Sequence, residues 1–439
     1  MRSFMSRFVS MLVVVALVGV ACSGGEDGSA DSTPGDTVAG EDTDGGDATT
    51  LTLWAFEGEE AFFPTLIERF EETHSGISIE MTEIPEDSYT TKVDTALAAE
   101  SPPDLGLIYE PRWLKAGAVL ALDDAIGDAG IDLDEFNQNA LSGCQFEGTT
   151  YCIGSYVGAV MVFYNKELFD SAGVEYPSAT DPMTIDEFAE KAAQLSVPSD
   201  DLGARIWGTI GEAPFWWSDP ATHFSDDGRA TDGYVNDEAT ANMYSVMAGL
   251  VTDGHAPTGS EFELLGGIDL LATGQVAMAI SDNLVAIEAL EAAGYDWGAA
   301  PVPVESAGAP TYVASWTDQV GVFAASENAD LAREFAIFVA EEGNRLRTEI
   351  ADQLPLNTSI AEASAWAEDN EGRAEVVEVV SQARPAVFVP GFWEVTSPLW
   401  DIYDGVVAGD ISAGEGLDEA APIMQESLDR AWETWEEFE

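Results

Sequence analysis

The chain has 439 residues, 46% hydrophobic and 10% aromatic, which is ample for a large buried core and more than one small domain needs. Sixteen Lys and Arg stand against 81 Asp and Glu, a formal net charge of −65. Such a chain repels nucleic-acid phosphates and anionic lipid, which excludes a DNA or RNA binder and leaves only a lipid or an apolar segment to hold it at a membrane. The acid is spread along the whole length, and only four Lys occur, Lys92, Lys115, Lys166 and Lys191. Two readings fit: a surface adapted to high salt, where counterions screen self-repulsion, or an ordinary acidic secreted protein.

At the N-terminus, Arg2 and Arg7 precede an apolar run from Phe8 to Val20, followed by Ala21-Cys22-Ser23. A charged start, an apolar run and a small residue before the cut mark residues 1–21 as a secretory signal. The run is shorter than the roughly 20 residues a bilayer span needs. Cys22 directly after it resembles the lipidated first residue of a bacterial lipoprotein, with Gly19 where that pattern prefers a Leu-like residue. From Ser23 to Thr50 the chain is Gly, Ser, Thr, Asp and Glu with almost nothing apolar, so residues 22–50 read as a lipidated Cys and a disordered acidic leash.

The globular body then opens with a strand over Leu51–Phe56, a helix over Glu60–Glu72, a strand over Ile77–Ile84, a helix over Tyr89–Ala99 and a strand over Leu105–Tyr109. A buried strand follows over Val157–Tyr164. A helix over Thr184–Leu195 opens on a capping box, Thr184 with Glu187. Further on come a helix at Ala239–Val251, strands at Val276–Ile280, Trp297–Val304 and Val320–Ala324, and helices at Ala329–Glu342 and Ala420–Phe438. Strands alternating with helices imply an α/β fold with parallel sheets covered on both faces. No internal repeat is present.

Cys144 and Cys152 flank a short Gly-containing loop suited to a local disulfide in an oxidising compartment, two free buried thiols being the alternative. No nucleophile elbow, phosphate loop, dinucleotide fingerprint or zinc spacing appears, and the three His are isolated. Neither a catalyst nor a cofactor or metal is therefore expected. Carboxylates are so numerous that a glycosidase-like pair would arise by chance. The 12 Trp are more telling, because several fall where strands end or loops begin: Trp54, Trp216, Trp217, Trp316 and Trp393. An indole face covers the apolar side of a sugar ring while carboxylates, amides and Arg bond its hydroxyl rim.

Several segments, in this order, resemble the bacterial extracellular solute-binding proteins of carbohydrate ABC transporters, the maltose-binding type (family 1): LTLWAF, SPPDLGLIYEPRWLKAGAVLALDD, VFYNKELFDSAGVEYP before MTIDEFAEKAAQL, LLATGQVAMAISDN, YDWGAAPVPV and DLAREFAIFVAEEG before LPLN. The resemblance covers residue 51 to about 438. It implies a two-lobed periplasmic-binding-protein fold with a hinge and ligand in the cleft between the lobes. By motif order, one lobe takes 51–155 plus 301–328 and the other 156–300 plus 329–439. Position by position, it implies ligand contacts from Phe56 and Glu57, from Tyr109, Glu110 and Arg112, from Tyr156, and from Glu212, Trp216 and Trp217. Asp282 and Asn283 stand where the family often has a Gly and an aromatic, and Trp316 and Trp393 extend the aromatic wall.

The implied function is a lipoprotein on the outer face of the cell membrane that captures a sugar or oligosaccharide and hands it to membrane permease subunits of an ABC importer. A monomer is expected, attached to the membrane only through its lipid. The same fold binding a polyol, a polyamine or another small solute is the alternative. A secreted glycoside hydrolase is a more distant one, which oligosaccharide turnover would reveal.

Overall fold

The computed structural model describes residues 49–58, 61–265, 270–368, 370–384 and 386–437. The signal segment, Cys22 and all of the leash but its last two residues lie outside them. Those two, Thr49 and Thr50, already belong to strand β1 (Thr49–Phe56), which pairs in parallel with β2 (Ile77–Ile84) over its whole length. β1 alternates, with Leu51, Leu53 and Ala55 turned into the core. The helix Phe62–Thr73 covers that face with Phe62, Phe63, Leu66, Ile67 and Phe70. Strand β3 (Leu105–Leu107) is parallel to β1.

Past β3, two short strands, β4 (Gln145–Phe146) and β5 (Thr149–Thr150), form a hairpin, and β6 (Cys152–Ile153) follows. A disulfide joins Cys144 to Cys152 across that hairpin. It closes a loop of sequence separation 8, so its main effect is to restrict the unfolded chain. Replacing both cysteines by Ser should lower stability by about 2–3 kcal/mol in chemical denaturation. Equal midpoints for the two proteins would show that the bridge contributes nothing.

The second sheet is built on β7 (Gly158–Asn165), all eight residues of which are buried. β7 pairs antiparallel with β8 (Met278–Asp282), with β9 (Trp297–Ala300) and, at its start, with β10 (Ser315–Trp316). Its side chains alternate between two cores: Ala159, Met161 and Phe163 join the one shared with the first sheet, while Val160, Val162 and Tyr164 enter the second. The helix Ile185–Leu195 carries the expected capping box, the Glu187 carboxylate accepting from Thr184 N at 2.8 Å. The last helix, Ala413–Glu437, starts well before the expected Ala420 and runs through Pro422. Burial of Leu417, Ala420, Met424 and Leu428 outweighs the poor helix-forming residues in its first turns.

Strand β11 (Val320–Val322) returns to the first sheet between β3 and β6, giving the order β2-β1-β3-β11-β6. The chain therefore crosses between sheets after β6, again from β10 to β11, and a third time near Leu354–Leu356, where Val157 N donates to Leu354 O and Leu356 N to Ser155 O. These crossings correct the lobe limits expected from motif order. Residues 301–316 stay with the second sheet, since Ile185 N bonds Val304 O and Ser315-Trp316 pair with β7. The helix Ala329–Phe338 stays with the first, because Ala332, Phe335 and Ala336 are buried in the core shared with that sheet and Phe335 meets Phe70 edge-on.

The last helix also reaches back to the first sheet's side of the molecule. The Trp435 ring meets Phe146 of the β4–β5 hairpin at 5.7 Å, and the Lys115 ammonium lies 4.9 Å above the same indole. Among the described residues no helix is long and apolar enough to cross a membrane, and no cluster of His, Cys, Asp or Glu could hold a metal ion.

Candidate functional site

Strand direction locates the site. β1, β2 and β3 are parallel and end at Phe56, Ile84 and Leu107, so Glu57, Glu86 and Tyr109–Arg112 leave a common edge of the first sheet. In the second sheet β8 ends at Asp282, and Trp207 bridges in parallel to Val276 just before it. Thr209–Trp217 therefore leave the same edge as Asp282. The charge of Glu86 reaches Asp282 as the smallest of the causes acting on its carboxyl, which puts these two strand ends near one another. A crevice beyond the carboxyl ends of parallel strands is where α/β sheets place ligands.

On the first wall, Phe56 and Tyr109 stack with centroids 5.0 Å apart and planes 20° apart, and Tyr89 closes on Phe56 edge-on at 4.9 Å. Glu57 is exposed beside them. Glu110 is half-buried, and burial pushes its carboxyl above the usual range against the pull of Arg112. Arg112 is committed within its own wall: its guanidinium donates to Asp94 at 2.8 Å and lies 4.0 Å from Glu110.

On the second wall, Glu212 is 8% exposed, and burial pushes its carboxyl up to about 8. The Trp216 indole N–H offsets part of that rise without reaching full hydrogen-bond geometry. Behind Glu212 stands the buried Tyr403, whose pKa the nearby carboxylate raises further and whose hydroxyl has no hydrogen-bond partner among the described residues. Trp400 meets Phe215 edge-on at 4.7 Å and is half-buried. Burial also raises Asp282, to about 6, while Leu284 N donates to its carboxylate at 2.6 Å. The Trp316 ring is half-buried on β10 and lies over Gly158, where an added Cβ would stand 2.4 Å from the indole, so only glycine fits beneath it.

Four expected contacts are corrected. Trp217 is fully buried in the second core, because the turn at Pro214–Trp216 points successive side chains to opposite sides. Asn283 is 1% exposed and spans the first crossing, accepting from Ala159 N at 2.7 Å and donating to Val157 O at 3.0 Å. Tyr156 is buried at the same crossing under the Arg347 guanidinium, 4.6 Å from its ring centroid. Trp393 is 54% exposed on the helix Phe392–Thr396, with its ring against Phe392 rather than with Glu212.

Sequence reasoning missed Trp400 and Glu86. Trp400 sits in an amphipathic helix, Pro398–Ala408, where a Trp reads as core, and its register with Phe215 is a contact across 185 residues. Glu86 opens the helix Glu86–Ala98 and reads as an ordinary first-turn acid; the end of β2 beside β1 and β3 was the available signal.

The diacetylchitobiose-binding protein DasA of Streptomyces coelicolor is 25% identical over 345 residues, 74% of this chain and 74% of that one. Among solved structures, an ABC substrate-binding protein of Listeria monocytogenes in complex with cycloalternan superposes with a TM-score of 0.74 at 22% identity, over 87% of this chain and 100% of that one. The GacH receptor of Streptomyces glaucescens, solved unliganded and with acarbose, gives 0.71 at 24% identity, over 87% and 99%. These likenesses establish the two-lobed fold. The family model for bacterial extracellular solute-binding proteins matches residues 56–345, which include both facing edges, and the chain accordingly belongs to that family of binding proteins rather than to the enzymes.

Proposed function

We propose that this protein captures a sugar or short oligosaccharide outside the cell, in the cleft between the facing sheet edges, and delivers it to the permease of an ABC importer. The observation that carries this reading is the pairing of aromatic rings with recessed carboxylates on both walls: Phe56 and Tyr109 with Glu110, and Trp216 with Glu212, while the half-buried Trp400 stands against the neighbouring Phe215. Rings cover the apolar faces of a sugar and carboxyl oxygens accept from its hydroxyls. Three crossings joining two lobes suit hinge closure, which would let a permease tell loaded receptor from empty. Cys22 supplies the lipid anchor of a monomeric receptor.

Calorimetric titration with a panel of mono-, di- and oligosaccharides, polyols and polyamines, at high salt, tests the reading. One sugar class should bind selectively, and Trp216→Ala and Trp400→Ala should each weaken it about 10–100-fold, from lost ring contact and lost apolar burial. Binding confined to polyols or polyamines, or sugar affinity unchanged in both variants, would overturn it.

A further inference from the structure

The two walls are acidic and, among the described residues, lack an uncommitted cation. Among the described residues at the facing edges, Glu57, Glu86, Glu110, Glu212 and Asp282 carry acid, and the cation beside them, Arg112, is held by Asp94 at 2.8 Å. A chain with a net charge of −65 has acid everywhere on its surface, so exposed carboxylates there decide nothing. Glu212 is different. It is 8% exposed, and no Lys, Arg or His lies within ion-pair distance of it among the described residues. Its surroundings are the Trp216 indole N–H and the buried Tyr403, whose hydroxyl has no hydrogen-bond partner among the described residues. Surface adaptation to salt does not require a buried carboxyl, and the core gains nothing from one without a partner. Without a cation such a group is held protonated, and a cation brought to it stabilises the ionised form.

We infer that the ligand of this cleft carries a protonated amine on a sugar ring, with Glu212 as its counter-charge and the Trp216 indole beside it. The inference rests on the sugar-receptor reading above and deepens it. The chemistry is consistent on each count. On binding, Glu212 gives up its proton to solvent, and the resulting carboxylate and the ammonium form an ion pair shielded from water. Indole faces attract cations as well as the C–H faces of a sugar. The remaining acids on both walls favour the same sign of ligand and disfavour phosphate or uronic acid.

The test is a matched pair: the glucosamine disaccharide with free amines, and its N,N′-diacetyl form, which differ only in charge and acetyl bulk. Titrations of the full mature protein are made at neutral pH in about 1 M salt, where the Debye length of roughly 3 Å suppresses attraction by the exposed surface. The free-amine sugar should bind at least 10-fold tighter than the acetylated one. In Glu212→Gln that ratio should fall to near 1, with residual binding of both. A cellobiose control, matched in size without nitrogen, should bind no tighter than the acetylated sugar. Equal or tighter binding of the neutral sugars by the native protein overturns the amine assignment and leaves the sugar-receptor reading standing. Spermidine binding with no sugar binding overturns the sugar reading, and this inference with it. A preference for the free amine that survives in Glu212→Gln, with the variant's fold intact by circular dichroism, overturns the role given to Glu212.

Discussion

Replacing Arg347 by Met should lower stability by about 3–5 kcal/mol, the loss expected when one partner of a buried ion pair is removed and the other charge is left uncompensated. Arg347 and Asp318 have side chains 1% and 2% exposed and lie 3.2 Å apart. The Asp318 carboxylate also accepts from Ser155 N and Ser155 Oγ, both at 2.6 Å, and from Thr317 Oγ1 at 3.0 Å. Arg347 in turn donates to Ser155 Oγ at 2.9 Å and to Gln353 Oε1 at 2.9 Å, and its guanidinium lies 3.4 Å from the Phe62 ring centroid. Ser155 belongs to the first crossing, Asp318 to the second and Gln353 to the approach to the third. One polar network thus ties all three strands of the hinge. Chemical denaturation of Arg347→Met, Asp318→Asn and the double variant measures the coupling. The double variant should lose clearly less than the two single losses combined. Full additivity, or a single loss below about 1 kcal/mol, would show that the network does not hold the hinge.

Stability should depend on pH through Glu212 in a direction opposite to an ordinary carboxylate. Its folded pKa is raised to about 8 from the usual value of 4.5, so the folded state holds a proton that the unfolded chain has lost across that window. Stability from this group is greatest at the acid end and is lost as pH rises through 8. Relative to pH 5, a difference on the order of 4 kcal/mol accrues by pH 9. Glu212→Gln removes the titration, so the variant should gain on the native protein steadily from pH 5 to pH 9, read as the difference in unfolding midpoint at each pH. An unchanged difference across that range would show that Glu212 is ionised at little cost in the free protein. The buried His223, lowered to about 4 by desolvation, acts at the other end: its stability is present above about 6.5 and is lost as pH falls toward 4. It is common to both proteins and cancels in the comparison.

Much of the fold is legible along the chain because its causes are local. Alternation marks β1 and β2, helical spacing marks Phe63, Leu66, Ile67 and Phe70, and Thr184 with Glu187 announces the start of a helix. The Cys144–Cys152 pair is close enough in sequence for its loop to suggest the bridge. Pattern misleads where long-range burial outweighs local preference, as in the helix Ala413–Glu437.

The candidate site divides in the same way. Phe56, Tyr109 and Glu110 follow strand ends, and Glu212 and Trp216 follow a short buried extended segment, so position along the chain is enough to nominate them. Whether a nominated side chain faces the cleft or the core is decided by one residue of register, which sequence does not carry. Trp216 stays half-exposed while its neighbour Trp217 is fully buried. Asn283 looks like a polar pocket residue and is instead the clamp across the first crossing. The composition by itself determined an acidic, non-nucleic-acid-binding body, and the order of segments determined a two-lobed receptor. Tertiary structure alone brought Trp400 to Phe215, set Glu86 opposite Asp282, and left Glu212 buried without a cation, because each depends on contacts between segments separated by more than a hundred residues.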